Sequence, residues 1–337
     1  MIQREITTLV PLLGKHGNIL YPGWARKMFW VYNRDAVAGR PLALKEWDYY
    51  QLTVGRHVLQ MVIGQVSYVA QFAATLIDTV SGEVREFAKM EPLPLRRLKM
   101  PTNPDRPSEI LISRRDYEMA YDVTDKERHL TLDAHDGEVD IDLVLPRRGD
   151  DEMVIATPFD KPTQFYLNCK AVFFGVTGHI HFGDLRFELE PSGDHTAIMD
   201  WGRGVWPLHQ EWFWGMGAAM IGQDRFGFNI GWGFGDLRLA SENMFFFNGV
   251  AHKLGQLQVD RDVEDYLAPW RFSTEDGAFD LTMTPTYDYY TTVDVAVLRK
   301  SIHQVHGLFS GHVRLSDGRE VQIRDVFAFC EHAVNTW

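Results

Sequence analysis

Cysteine is nearly absent from this chain: Cys169 and Cys330 are the two in 337 residues, and neither has a second cysteine near it. That excludes a disulfide framework and a zinc site of the all-cysteine type. Positive charge is also in short supply. Lys and Arg total 34 against 46 Asp and Glu, a net charge of -12, which speaks against nucleic acid or an anionic membrane surface as a partner. The basic pairs Arg96-Arg97, Arg114-Arg115 and Arg147-Arg148 stand apart in the chain and read as solvated surface charge. No apolar run approaches the roughly 20 residues of a membrane-spanning helix. The opening MIQREITTLVPLLGKHG has an early acid and no continuous apolar segment before a small-residue cleavage site. The expectation is a reduced, cytoplasmic, soluble protein with no transmembrane segment.

Familiar catalytic and cofactor motifs are missing too. There is no Gly-Lys-Ser/Thr phosphate loop and no Gly-x-Ser-x-Gly elbow, and GWGFGD lacks the strand-turn-helix context of a nucleotide fingerprint. No nicotinamide, flavin or ATP cofactor is therefore expected. His179 and His181 in TGHIHFG project from one face of a strand, a workable geometry for two metal ligands, but spacing supplies no third and no metal is assigned. Long amphipathic helical patterns are scarce, SRRDYEMAYD and DRDVEDYLA being the best short candidates.

What is abundant is strict alternation. In DLRFELEP, Leu185, Phe187 and Leu189 share one face of an extended segment while Arg186, Glu188 and Glu190 share the other, and VDIDLVL and VQIRDVF behave alike. Turn signals separate such runs: DTVSGEV at 78–84, DAHDGEV at 133–139, PSGD at 191–194, STEDGAF at 273–279 and LSDGREV at 315–321. The fold class is all-β, antiparallel, of sandwich or barrel form. The length suggests two domains, expected at 1–195 and 196–337, with PRRGDDEM followed by TPFDKPT as a linker that would move the boundary as early as 146–164. Glu46-Trp47-Asp48-Tyr49 and Glu211-Trp212-Phe213-Trp214 form a weak internal echo, compatible with duplication of a β unit or with chance.

Residues 200–217 read DWGRGVWPLHQEWFWGMG and hold four of the ten tryptophans beside Asp200, Arg203 and His209. Downstream, the even positions of 226–234 are Phe226, Phe228, Ile230, Trp232 and Phe234, while the odd ones are glycine except Asn229. The preceding run carries Trp212, Trp214, Met216 and Met220 on one parity and Gly215, Gly217 and Ala219 on the other. Matching the two bulky faces predicts a hairpin with Met220 opposite Phe226, Trp214 opposite Trp232 and Trp212 opposite Phe234. The bulky face is either hydrophobic core or the lining of a deep apolar pocket. Glu242, Asn243 and His252 follow as polar neighbours, with turn or strand-end capping as their alternative role. Asp200 and Arg203 are expected in contact, as an ion pair that holds the turn or as part of a site.

DWGRGVWP, WFWG, FGFNIGWGFGD, SENMFFFNGVAHKL and the closing GLFSGHVRLSDGREVQIRD with CEH and a final tryptophan resemble the bacterial "domain of unknown function 2804" family over nearly the whole chain. That family resembles a wider double lipocalin-like, or calycin-like, group that includes carotenoid hydratases, some pericyclic cyclases and uncharacterised lipid-linked proteins. The resemblance implies two lipocalin-like β-barrel or sandwich domains with a ligand cavity in or between them. In the hydratases an Asp-His-Glu-Trp motif lies near that cavity. Here Asp200-Trp201-Gly202-Arg203 with Glu211-Trp212-Phe213-Trp214 stands in the equivalent place, and the motif itself is not preserved.

Two functions follow as expectations. In the first, an apolar isoprenoid, fatty or polyketide-like molecule is hydrated, isomerised or cyclised without a cofactor. Asp200 is then the general acid, and His209 with Asn229 orients polar atoms. Arg203, Trp206, Trp212, Trp214, Trp232, Glu242, Asn243 and His252 complete the ligand site. In the second, a lipocalin-like carrier or sensor holds the same ligand unchanged. A third reading makes the aromatic face core alone.

Overall fold

The computed structural model describes residues 3–39, 43–66, 68–92, 98–191, 195–295 and 298–336. The turn residues 192–194 and the pair Arg96-Arg97 lie outside that set. Alternation governs the chain as expected: among the described residues it is built of β-strands with one 3-10 turn, Arg34–Ala36, and no α-helix. No helix is long and apolar enough to cross a membrane. Both helix candidates are overturned. Tyr117–Val123 is a strand whose Tyr117, Met119, Tyr121 and Val123 are buried at period two, and that alternation outweighs the short helical pattern. In DRDVEDYLA, Asp262 accepts the N–H groups of Glu264 and Asp265 in a local turn, a side-chain bond that competes with helix formation.

The predicted turns at 78–84, 133–139, 273–279 and 315–321 each join adjacent antiparallel strands. Eight strands form one sheet in the order Gly23–Ala25, Met153–Pro158, Phe165–Phe174, His195–Val205, Lys45–Val54, His57–Val66, Val69–Asp78 and Val84–Pro92. A six-stranded sheet runs from Leu185–Leu189 through Thr177–Phe182, Val139–Pro146, Glu127–Ala134 and Tyr117–Val123 to Ser108–Ser113. These two sheets enclose one core that includes Phe72, Tyr121, Leu132, Ile141 and Trp201. A void of about 10 Å³ beside Tyr50, Leu59 and Leu130 holds no more than one water. The 146–153 stretch leads from the six-stranded sheet into Met153–Pro158 of the eight-stranded one.

The chain crosses to a nine-stranded sheet between Val205 and His209. That sheet curls around its own core of Phe226, Phe228, Trp270, Phe272, Phe309 and Val326. A third apolar layer, with Ile155, Tyr166, Trp206, Trp214, Met216 and Phe329, lies between the eight- and nine-stranded sheets.

This third layer corrects the predicted hairpin. His209–Ile221 and Asp224–Trp232 pair with Ala219 opposite Phe226, Gly217 opposite Phe228, Gly215 opposite Ile230, Phe213 opposite Trp232 and Trp214 opposite Gly231. Tryptophan does stand against glycine, one residue out from the matched register. The matched register assumed a single buried face, but this sheet is buried on both. Phe226, Phe228, Ile230 and Trp232 fill the nine-stranded sheet's own core, and Trp212, Trp214 and Met216 fill the layer between sheets. Gly215 leaves room for Ile230 across the hairpin, whereas Gly227 and Gly231 leave room for Val172 and Glu242.

Candidate functional site

Alternation along three adjacent strands aims a set of polar and aromatic side chains into the layer between the sheets. Lys170 and Asp200 are cross-strand partners, Tyr49 is the partner of Asp200 on its other side, and Trp47 is the partner of Gly202. A Cβ on Gly202 would lie 2.2 Å from the Trp47 indole, so glycine is required for that ring to cross the strand. Facing them from the nine-stranded sheet are Trp212, Trp214 and Asn229, with Glu331 the cross-strand partner of Trp214.

The buried charges are compensated. Lys170 Nζ lies 2.5 Å from Glu242 Oε2 and 4.1 Å from the centre of the Trp214 ring. Asn229 connects the same group, accepting from Trp214 Nε1 at 2.8 Å and donating to Glu242 Oε2 at 3.0 Å. A Cβ on Gly231 would meet Glu242 Oε1 at 2.3 Å; the bare glycine face of the hairpin is the space that Glu242 occupies. Asn168 Nδ2 donates to Asp200 Oδ1 at 2.6 Å, and Trp212 Nε1 donates to Glu331 Oε1 at 3.1 Å.

Burial pushes the Asp200 carboxyl above the usual range, against the nearby Lys170 ammonium and the Asn168 hydrogen bond. Burial raises Glu331 likewise, opposed by Lys300 and the Trp212 N–H. The Tyr49 and Tyr166 hydroxyls are held neutral, by burial first and then by the neighbouring carboxylates Glu331 and Asp200 respectively. Lys253, whose ammonium donates to Ser241 Oγ at 2.9 Å and to the Asn243 carbonyl at 3.1 Å, is brought down to about 7 by burial, with Glu242 opposing. Buried carboxyls whose protonated form is favoured, set among aromatic faces, are suited to protonate an apolar molecule, and the ring faces to stabilise the cation that forms.

Residues 3–337 match the family described as Domain of unknown function (DUF2804). The chain belongs to that family. No curated relative matches the chain in sequence. Among solved structures, CghA determined with Sch210972 aligns over 96% of this chain and 97% of its own, at 10% identity and a TM-score of 0.58. A candidate AttH from Nitrosomonas europaea aligns over 89% and 95%, at 12% identity and a TM-score of 0.51. These likenesses show the fold alone, an all-β chain of curled antiparallel lipocalin-like sheets.

In this family member the layer between sheets brings together Asp200, Trp206, Trp212, Trp214, Asn229 and Glu242. Trp206 packs edge-on to Trp47 at 5.3 Å and to Phe234 at 5.5 Å. The remaining residues singled out in the sequence lie elsewhere. Arg203 does not contact Asp200, which corrects the expected pair: residues three apart on a strand point to opposite faces. Arg203 enters the N-terminal core, 2.7 Å from Asp48 and 3.9 Å from the Trp201 ring centre. Trp232 is on the face opposite Trp214 and stacks on Phe213 at 4.5 Å. Asn243 accepts the Gly231 N–H at 2.8 Å and fixes the backbone beside Glu242. His209 is exposed and bonded to Thr336 Oγ1, and His252 stacks on Phe245 while bonding Ser316 Oγ.

Lys170, Asn168, Glu331 and Tyr166 were not singled out in the sequence, and Trp47 and Tyr49 stood out only as part of the Glu-Trp-x-aromatic echo. A signal for two of them was present beside the cysteines. Lys170 follows Cys169 in FYLNCKAVFF and Glu331 follows Cys330 in FAFCEH, each a charge in a mostly apolar or aromatic run, and such a charge needs a buried partner.

Proposed function

We propose that the layer between the sheets binds an apolar small molecule and that Asp200 acts on it as general acid in a cofactor-free hydration, isomerisation or cyclisation. The observation that carries this reading is the state of Asp200: buried, held by Asn168 rather than by an arginine, and raised by burial. Burial that favours the protonated form makes this carboxyl a better proton donor at a given pH than an exposed aspartate. Trp47, Trp206, Trp212 and Trp214 shape the apolar wall, Asn229 and Tyr49 orient polar atoms of the ligand, and Lys170 with Glu242 sets the charge balance around Asp200.

The rings pack on one another, Tyr49 against Trp214 at 6.0 Å and Trp47 against Tyr166 at 5.9 Å, so the ligand enters by parting them. A cleft of about 400 Å³ lined by Phe173, His195, Met220 and Arg225 includes Phe173 and Met220 of the same apolar layer, and we assign it as the way in. The two β units meet at this layer, and we place the division of the chain at 206–208.

The test begins with native mass spectrometry of untagged protein, followed by extraction and identification of what travels with it. On a substrate so identified, Asp200→Asn should abolish turnover while binding persists. Unchanged turnover removes Asp200 as the acid. Binding without any turnover by the wild-type chain makes the protein a carrier or sensor.

A further inference from the structure

We propose that Asp140, His179 and His181, on the outer face of the six-stranded sheet, form a binding site for a divalent transition-metal ion of the zinc type. Asp140 and His181 are cross-strand partners on Val139–Pro146 and Thr177–Phe182, and His179 follows two residues along on the same face. This is the third ligand that spacing alone does not reveal, because it comes from a strand some 40 residues away in sequence. His179 Nε2 lies 3.1 Å and His181 Nδ1 3.7 Å from Asp140 Oδ2, and ligand atoms from all three residues fall within 4.8 Å of one another. Ligands at about 2.0–2.1 Å in a tetrahedron stand roughly 3.4 Å apart, so small side-chain rotations close the set.

Two details point to an ion rather than to simple ion pairing. His179 Nε2 is buried and has no hydrogen-bond partner although a carboxylate oxygen lies beside it; a cation between the two lone-pair donors satisfies both. His181 Nε2 lies 3.4 Å from Glu188 Oε1. A proton on that nitrogen, shared with Glu188, leaves the Nδ1 lone pair free toward Asp140, which is the carboxylate-histidine-metal pattern. Arg186, the cross-strand neighbour of His181, is turned to the Gly183 carbonyl at 2.8 Å. Imidazole donors select zinc, cobalt, nickel or copper over magnesium or calcium, and three protein ligands leave a position for water. The site lies on the side of its sheet away from the N-terminal core and is independent of Asp200.

The experiment is titration of the untagged full chain with cobalt(II), read by visible ligand-field absorption, with zinc as competitor. One equivalent should bind and be displaced by zinc. His181→Gln and Asp140→Asn should each weaken binding at least tenfold, Glu188→Gln by about tenfold, and His303→Gln on the other β unit should leave it unchanged. Because these side chains face outward, each variant should melt like the wild type in chelator, which separates site loss from misfolding. Absence of stoichiometric binding, or binding unaltered by both Asp140→Asn and His181→Gln, overturns the proposal.

Discussion

Asp200 and Arg203 stand three residues apart on one strand and belong to different interiors. Arg203 reaches Asp48 at 2.7 Å and Glu46 at 3.7 Å inside the N-terminal core, whereas Asp200 is held by Asn168 at 2.6 Å in the layer between sheets. The charged residues of the tryptophan-rich stretch therefore serve two purposes, and mutation separates them.

Arg203→Met leaves Asp48 and Glu46 buried without their cation and should cost about 3–5 kcal/mol. Asp200→Asn retains an acceptor for Asn168 and should change stability by less than about 1 kcal/mol. Urea denaturation of the two variants beside the wild type measures both; equal losses would mean that Asp200 also balances a buried charge.

Lys170 and Glu242 are a buried pair, so removing one partner is worse than removing both. Lys170→Met is expected to destabilise by about 3 kcal/mol or more, and Lys170→Met with Glu242→Gln should recover most of it. A double-mutant cycle from denaturation midpoints gives the coupling directly.

The pairing of His209–Ile221 with Glu320–Thr336, in which Gly217 stands opposite Ala328, is open to a size-exchange test. A Cβ on Gly217 would fall 2.3 Å from the Ala328 Cβ, so Gly217→Ala should cost about 1–3 kcal/mol by overpacking. Ala328→Gly in the same chain should return part of that loss. Absence of that rescue in thermal melts would count against the pairing of these two strands.

Glu152 supplies a pH dependence. Burial, reinforced by Asp105, pushes its carboxyl from 4.5 up to about 7. The folded state therefore favours the protonated form, and this contribution is full below about pH 4.5 and is lost as pH rises through 7. Glu152→Gln should flatten the fall in stability between pH 5 and 8, a difference on the order of 3 kcal/mol at the upper end. Urea midpoints across that range give the slopes.

Much of this was legible locally. Alternation in VDIDLVL and the Asp-Gly turn at 136–137 give a strand and its hairpin, because period two and a positive-φ glycine are properties of a few consecutive residues. Trp212 and Trp214 were legible as sharing one strand face, but Asn229, on the glycine parity of its own run, joins that face only through the observed register. Lys170 and Glu331 were not, since each is an isolated charge whose partner comes from a distant strand.

By itself, then, the sequence determined the strand content, the hairpin turns and the concentration of tryptophan, aspartate and glycine near one place in the chain. Tertiary structure decided which side of each strand those residues face and what they meet there. An alternating strand has two faces that local patterning treats alike, and only a second sheet packed against it makes the other face an interior as well. That second burial set the hairpin one residue out of the expected register, made interiors of both faces on which strand parity places Arg203 and Asp200, and put Lys170 against Glu242.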